Sequence, residues 1–262
     1  MDWENRAISA SKRNLKAIII AAGPSNRLRP LTDDKPKCML DINGKSIMQR
    51  QLEALTQCGI NDIVVVRGYK KETITYPNIR YYENTDYENN NILRSLFYAE
   101  DEMDDEFVFS YSDIIFEKSV LEKLLHSQGD ISLVIDIDWL AHYQHRYQHP
   151  VAEAELVMVE DNKVIRIGKN ILKPEEAYGE FIGLAKFTKR GAEILRSTYG
   201  RITNQYYNRP FQQAASLKKA YLTDMIQELI DRGNVISSVD IKEGWMEIDT
   251  PEDWERAGQL FG

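Results

Sequence analysis

The chain has 262 residues, 43% hydrophobic and 28% charged, an ordinary composition for a globular protein with enough length for a sizeable core. Its formal net charge of -8 and pI near 5.2 exclude nucleic acid as a bulk partner, which would need a broad basic face, yet leave room for one small basic pocket. No apolar stretch approaches the roughly 20 residues of a membrane helix, and the polar N-terminus lacks the apolar centre of a signal peptide, so a cytoplasmic location is expected.

Residues 1–14 carry no apolar period and are expected as a flexible lead-in. Residues 17–22 form a short apolar run, β-branched at its centre, and predict a buried strand. The run breaks at Gly23 into a loop that holds Arg27, Arg29, Lys35 and Lys37 against only Asp33 and Asp34. A strand ending in a glycine turn with basic side chains after it is where an α/β sheet collects phosphates, because backbone N–H groups and cations converge there. Two better-known phosphate cradles do not fit. Gly44-Lys45-Ser46 has Met39 where a P-loop needs its first glycine and reads as a strand-to-helix turn, while Ser25 and Leu28 stand where a dinucleotide fingerprint needs glycines.

Met48, Leu52 and Leu55 then repeat at helical spacing before Gly59, and residues 63–66 are a β-branched run. This strand, helix, strand unit implies parallel pairing through a right-handed crossover. A strand near 79–82 precedes a helix-like series, Ile92, Leu96, Ala99 and Met103, and residues 107–111 form another apolar strand that ends in Ser112 and Asp113. Residues 120–125 read as helix and 131–137 as strand. Beyond them, 156–159 and 164–167 flank a Glu-Asp-Asn-Lys hairpin turn, and 181–187 supply a further strand. Leu222, Met225, Ile226, Leu229 and Ile230 lie on one helical stripe closed by Gly233. Residues 235–241 and 245–248 read as strands, and Thr250 caps a last helix with Pro251 in its first turn. The predicted class is α/β: a Rossmann-like mixed sheet flanked by helices, with a β-richer second half that could close over the first. Cys38 and Cys58 are too few for a metal cluster and are expected as free thiols.

Asp113 sits at the carboxyl end of a predicted central strand, where open α/β sheets place ligands. Asp249 follows a second apolar strand, and two such carboxylates can hold a hard cation such as Mg²⁺ against phosphate oxygens. Asp249 reads equally well as a helix N-terminal acid. His142, His145 and His149 recur at helical intervals in a polar segment without an acidic partner in ligand spacing, and read as a solvated helix face before a zinc site. Asp138 and Trp139 with Tyr143 and Arg146, and Tyr221 with Asp224 one helical turn on, each join an aromatic ring to a carboxylate. Such a pairing suits a cationic amine, although each also reads as plain surface chemistry.

With these residues in view the sequence resembles the nucleotidyltransferase family that joins NTPs to phosphorylated sugars, choline phosphate and phosphonates. The pieces are AAGPSNRLRPLT with KPK, YSDIIF, GEFIGLAKF and WMEIDTPEDW, spread over residues 16–258. NNNILRSL, DIDWLAHYQHRY, VIRIGKNI and YLTDMIQELID are most similar to the small-substrate cytidylyltransferases of phosphocholine or of phosphonates such as 2-aminoethylphosphonate. The resemblance implies a single nucleotidyltransferase domain over 15–262, with 15–137 mainly binding nucleotide and 138–245 mainly acceptor or lid, and it is compatible with a homodimer. It implies that Ala22, Gly23, Pro24, Ser25, Asn26 and Arg27 wrap the triphosphate of CTP, that Lys37 meets the α-phosphate, and that Asn90, Asn91 and Ser95 contact the nucleotide. Asp113 and Asp249 would hold Mg²⁺. Lys169, Glu180, Gly183, Asp138, Trp139, Tyr221 and Asp224 would serve the acceptor, with Arg27, Lys37 and Lys169 as the catalytic cations. The implied reaction is Mg²⁺-dependent CMP transfer to a 2-aminoethyl- or 2-hydroxyethylphosphonate. The alternatives are phosphocholine or phosphoethanolamine, then a sugar 1-phosphate, then a non-catalytic subunit that keeps the fold. One departure is Ser25, where many relatives carry a second glycine.

Overall fold

The computed structural model describes residues 15–144 and 146–261; the lead-in expected over 1–14 and the side chain of His145 lie outside them. The first strand, β1 (Lys16–Ala21), is buried along its whole length. Its residues alternate between two cores, as the two-residue period of a strand requires. Ile18 and Ile20 belong with Leu96, Leu195 and Met225, whereas Ala17 and Ile19 belong with Met48, Leu55 and Leu121.

After β1 the chain forms a small hairpin, β2 (Asp41–Ile42) and β3 (Lys45–Ser46), then α1 (Ile47–Gln57), β4 (Asp62–Arg67) and β5 (Ile79–Glu83). Gly44-Lys45-Ser46 is not the single strand-to-helix turn expected of it: Asn43 and Gly44, both at positive φ, form the hairpin turn, Lys45 and Ser46 are β3, and only Ser46 starts α1, accepting the Gln49 backbone N–H. Next come α2 (Ile92–Leu96), β6 (Phe107–Tyr111), β7 (Ile114–Phe116), α3 (Lys118–His126), β8 (Ile131–Asp136) and the short α4 (Trp139–His142). The second half adds β9 (Glu155–Glu160), β10 (Lys163–Lys169), β11 (Gly179–Phe187), α5 (Lys189–Tyr206), α6 (Leu222–Asp231), β12 (Ser237–Ile241), β13 (Trp245–Glu247) and α7 (Pro251–Leu260).

Among the described residues one mixed sheet of nine strands runs in the order β5-β4-β1-β6-β11-β8-β12-β10-β9. β4 and β6 flank β1 in parallel, with Ile18 opposite both Val64 and Phe109. β11 lies antiparallel between β6 and β8, so strands from residues 15–137 and from 138–245 share the sheet. The hairpin of β9 and β10 turns on Asp161 and Asn162, both at positive φ, which their short polar side chains tolerate.

Several elements differ from the expectation: the β2–β3 hairpin and β7 were not predicted, being only two or three residues per strand, and two longer segments differ as well. The helical series from Ile92 stops at Leu96 and continues as a 3-10 segment, Phe97–Glu102, because Ala99 leaves helical geometry at φ -106 and ψ 30. The 18-residue α5 was not predicted at all. Its buried stripe, Gly191, Ala192, Leu195, Thr198, Tyr199 and Ile202, itself contains a glycine and a threonine, and polar residues fill the remaining faces, so the apolar period is weak in the sequence.

Candidate active site

The loop after β1 is pinned by fully buried Leu28 and by the Thr32 hydroxyl, which donates to the Ser25 carbonyl at 3.0 Å. Ser25 itself takes left-handed backbone, φ 51 and ψ 58, which explains why glycine suits this position and why serine holds it at a modest cost of about 1 kcal/mol. The pinned loop presents Arg27 and Lys37 to one point. Both bind Asp249, and Lys37 Nζ also lies 2.6 Å from Asp113.

These two carboxylates, far apart in sequence, meet through a strand pair. β7 follows Asp113 directly and pairs antiparallel with β13, and the Ile248 N–H donates to the Asp113 carbonyl at 2.8 Å. Asp249 is therefore delivered beside Asp113. It does not cap α7: Thr250 accepts the Asp253 N–H at 3.2 Å, while Asp253 accepts from the backbone of Thr250 at 2.9 Å. Capping falls to Thr250 and Asp253, which leaves the Asp249 carboxylate for cations.

Burial opposes charge on Asp249, but Lys37 and Arg27 outweigh it and hold the carboxyl well below its usual range. Burial likewise opposes the Lys37 ammonium, and Asp113 and Asp249 overcome it to keep the amine firmly protonated. The neighbouring Cys38 thiol is pushed up to about 12 by burial, so it offers no thiolate; Cys38 and Cys58 are both free. Asp113 Oδ1 is buried without a hydrogen-bond partner among the described residues. An orphaned carboxylate oxygen beside a second carboxylate is a donor set that fits a hard divalent cation.

Two cavities adjoin this cluster. One, of about 270 Å³, is lined by Ala22, Gly23, Pro24, Ser25, Asn90, Asn91 and Ser95, among others. Asn90 and Ser95 are both hydrogen-bonded to Asn84, and Asn91 caps α2, so this wall is fixed before any ligand arrives. Asn26 does not line it. The other cavity, of about 160 Å³, is lined by Tyr111, Glu153, Glu155, Lys169, Glu180, Tyr221, Trp245 and Glu247. Arg27, Lys37, Asp113 and Asp249 wall both.

In the second cavity Lys169 Nζ lies 3.2 Å from Glu153 and 4.7 Å from the Tyr221 ring centre. Glu155 accepts the Tyr111 hydroxyl at 3.0 Å and Glu180 that of Tyr143 at 2.8 Å, and burial pushes each carboxyl up to about 7. Gly183 does not line the cavity but shapes it. At φ +83, a Cβ there would sit 2.2 Å from Tyr111 Cδ2. Gly183→Ala is therefore expected to destabilise the fold by about 2 kcal/mol and to displace Tyr111. Thermal unfolding checks it, and an unchanged midpoint contradicts the role.

Other residues assigned to the acceptor lie elsewhere. Asp138 is exposed. Trp139 is buried against Tyr143 in a satellite core with Leu156 and Leu172. The Asp224 carboxylate accepts the backbone N–H groups of Tyr221 and Gln213, as a helix cap does. The solvated histidine face is also corrected. α4 ends at His142, and His149 is buried, its Nδ1 accepting from Arg146 at 2.9 Å. Burial and the Arg146 charge push His149 down to about 4, so it is neutral near pH 7, and its ligand atom lies within 4.8 Å of those of Glu247 and Asp249. Glu153, Glu155, Glu247 and Tyr111 were not anticipated as site residues. The signals for them were an EAE run before an apolar strand, the first residue of YSDIIF and an acid inside WMEIDTPEDW, while His149 was read only as part of a solvated face.

Residues 17–160, over half of the chain, match the model of the MobA-like NTP transferase domain. The chain belongs to the MobA-like NTP transferase family. This nucleotidyltransferase is 30% identical over 254 residues to the CTP:phosphoglutamine cytidylyltransferase of Campylobacter jejuni, covering 92% of this chain and 98% of that one. It is 27% identical over 201 residues to the 2-aminoethylphosphonate cytidylyltransferase of Lancefieldella rimae, covering 73% and 75%. The solved CTP:phosphocholine cytidylyltransferase of Streptococcus pneumoniae shares the fold, with a TM-score of 0.71 at 22% identity over 95% of this chain and 99% of that one. Among the described residues no helix of the transferase is long and apolar enough to cross a membrane.

Proposed function

We propose that the protein transfers CMP from CTP to the phosphorus oxyanion of a small acceptor with an amine at its far end, releasing pyrophosphate. Acceptors of the 2-aminoethylphosphonate type meet that description, and so does phosphoglutamine. The carrying observation is that two cavities share one wall, Arg27, Lys37, Asp113 and Asp249, and that the smaller one is rimmed by Glu153, Glu155, Glu180 and Glu247. Crowded, buried carboxyls of this kind are relieved by a cation, which an amine supplies and a hydroxyl does not.

The chemistry needs no strong general base, because a phosphonate or phosphate oxygen is already anionic near neutral pH. The difficulty is repulsion between two polyanions. Arg27 and Lys37 stand where the cavities meet, and Lys169 stands on the acceptor side, so their charges offset the build-up at the α-phosphorus and align the attack with the leaving pyrophosphate. Each of these cations is held by a carboxylate, Asp249, Asp113 or Glu153, which keeps it placed until phosphates displace that partner. Mg²⁺ held by Asp113 and Asp249 would add charge neutralisation at the phosphate oxygens.

The test is pyrophosphate release from CTP, UTP, ATP and GTP against 2-aminoethylphosphonate, 2-hydroxyethylphosphonate, phosphocholine, phosphoethanolamine, phosphoglutamine and glucose 1-phosphate. CTP with an amine-bearing acceptor is the expected pair, and reaction with the sugar phosphate alone overturns the reading. A pH dependence follows as well. Glu155 and Glu180 are protonated below about 7 and ionised above it, and a cationic tail favours the ionised form. KM for the amine acceptor should therefore fall as pH rises through that value, relative to KM for 2-hydroxyethylphosphonate, whose phosphonate titrates alike but whose tail carries no charge. Parallel profiles for the two acceptors would remove the amine from the site.

A further inference from the structure

Behind the acceptor cavity lies a third, of about 80 Å³, which shares Glu180, Trp245 and Glu247 with it and is otherwise lined by His142, Arg146, Arg256, Met246 and Leu260. Its charge changes sign away from the shared wall. Arg146 is fully engaged by Asp253 and Glu247. Arg256, from α7, is not: its one hydrogen bond is to the His142 carbonyl at 3.4 Å, and among the described residues no carboxylate pairs with it. His142 gives Nδ1 to fully buried Asp136, which also accepts from Trp245 Nε1, both at 2.9 Å. Nε2 has no hydrogen-bond partner among the described residues. The Asp136 contact also raises the imidazole above its ordinary value, so a proton on Nε2 is favoured.

A guanidinium without a counter-ion beside an imidazole with a free nitrogen, in a cavity of this size, is a receptor for a small planar anion. We propose that this cavity takes a carboxylate: the acceptor's far end is that of an α-amino acid, its ammonium against Glu180 and Glu247 and its carboxylate against Arg256 and His142. The geometry of the ligand agrees, since one carbon bears both groups and one cavity is lined by both the carboxylates, Glu180 and Glu247, and the cations, Arg256 and His142. Arg256 and His142 would then determine specificity, while the transfer itself takes place on the far side of Glu180 and Glu247. This assignment rests on the proposed transfer to an amine-bearing acceptor and narrows it from aminoalkyl phosphonates to amino-acid acceptors.

Its test compares two acceptors with CTP in the pyrophosphate assay: phosphoglutamine, and the same phosphorylated compound without the α-carboxylate. The wild-type protein is expected to favour phosphoglutamine by roughly tenfold in kcat/KM, the usual worth of a charge-assisted pair. Arg256→Ala should erase most of that preference, chiefly through KM for phosphoglutamine, and Arg256→Lys should restore part of it. Equal kcat/KM for the two acceptors in the wild type overturns the subsite. So does an Arg256→Ala variant that weakens both acceptors alike, because that marks a structural role in holding α4. Turnover of amine acceptors that ignores the carboxylate removes this subsite and leaves the transferase reading intact, whereas silence with CTP and every amine acceptor removes both.

Discussion

Lys37→Ala is expected to lower kcat at least a hundredfold while the fold survives. Lys37 touches both carboxylates of the central cluster and walls both cavities, which on the proposed reading puts it, with Arg27, where the two polyanions would meet. A preorganised positive charge in a partly buried site does more for a developing charge than the same group in water, and its removal usually costs on the order of a hundredfold to a thousandfold in rate. Stability should suffer less. Asp113 and Asp249 face the cleft, outside the apolar clusters, and the losses of their partner can be taken up by Arg27 and by water. Circular dichroism separates the two effects, and near-normal pyrophosphate release from a folded variant would sink the assignment. Lys37→Arg should recover little, because a planar guanidinium cannot place one charge between two carboxylates as an ammonium does.

Asp113→Ala carries the second large loss, again at least a hundredfold in turnover. Its Oδ1 is buried and unpartnered, while Oδ2 meets Lys37, so the residue reads as a donor awaiting a cation and not as part of the core. Two readouts identify the cause. Asp113→Asn, which keeps the shape but halves the donor strength, should raise the Mg²⁺ concentration needed for half-maximal rate, and Mn²⁺ should recover more of the lost rate than Mg²⁺ does. An Asp113→Asn variant with normal turnover and an unshifted Mg²⁺ requirement would show that this carboxylate serves only to position Lys37.

The loop after β1 was legible because its signal is local: an apolar strand, a glycine turn and a cluster of cations lie within one short stretch, and the strand places them at the carboxyl end of the central sheet beside the larger cavity. The alternating and helical periods marked most strands, α1, α3 and α6 for the same reason, Thr250 and Pro251 marked α7, the ends of predicted strands pointed to Asp113 and Asp249, and the family resemblance added Lys169. α5 escaped because one narrow buried stripe in a polar helix barely rises above background. What the tertiary structure alone decided is the second, carboxylate-rimmed cavity. Glu153 and Glu155, Glu180 and Glu247 sit at the ends of β9, β11 and β13, and only the pairing of β11 with β9 and of β13 with β7 gathers them. It likewise turned Trp139 and Asp224, plausible ligands on paper, into a core residue and a helix cap. Sequence by itself determined the family and the strand, glycine turn and cation cluster that the resemblance assigns to a triphosphate. The partners of each charge, and therefore the raised carboxyls and the unpaired Arg256 that bear on the acceptor, depend on burial and on contacts between distant strands, which no local spacing encodes.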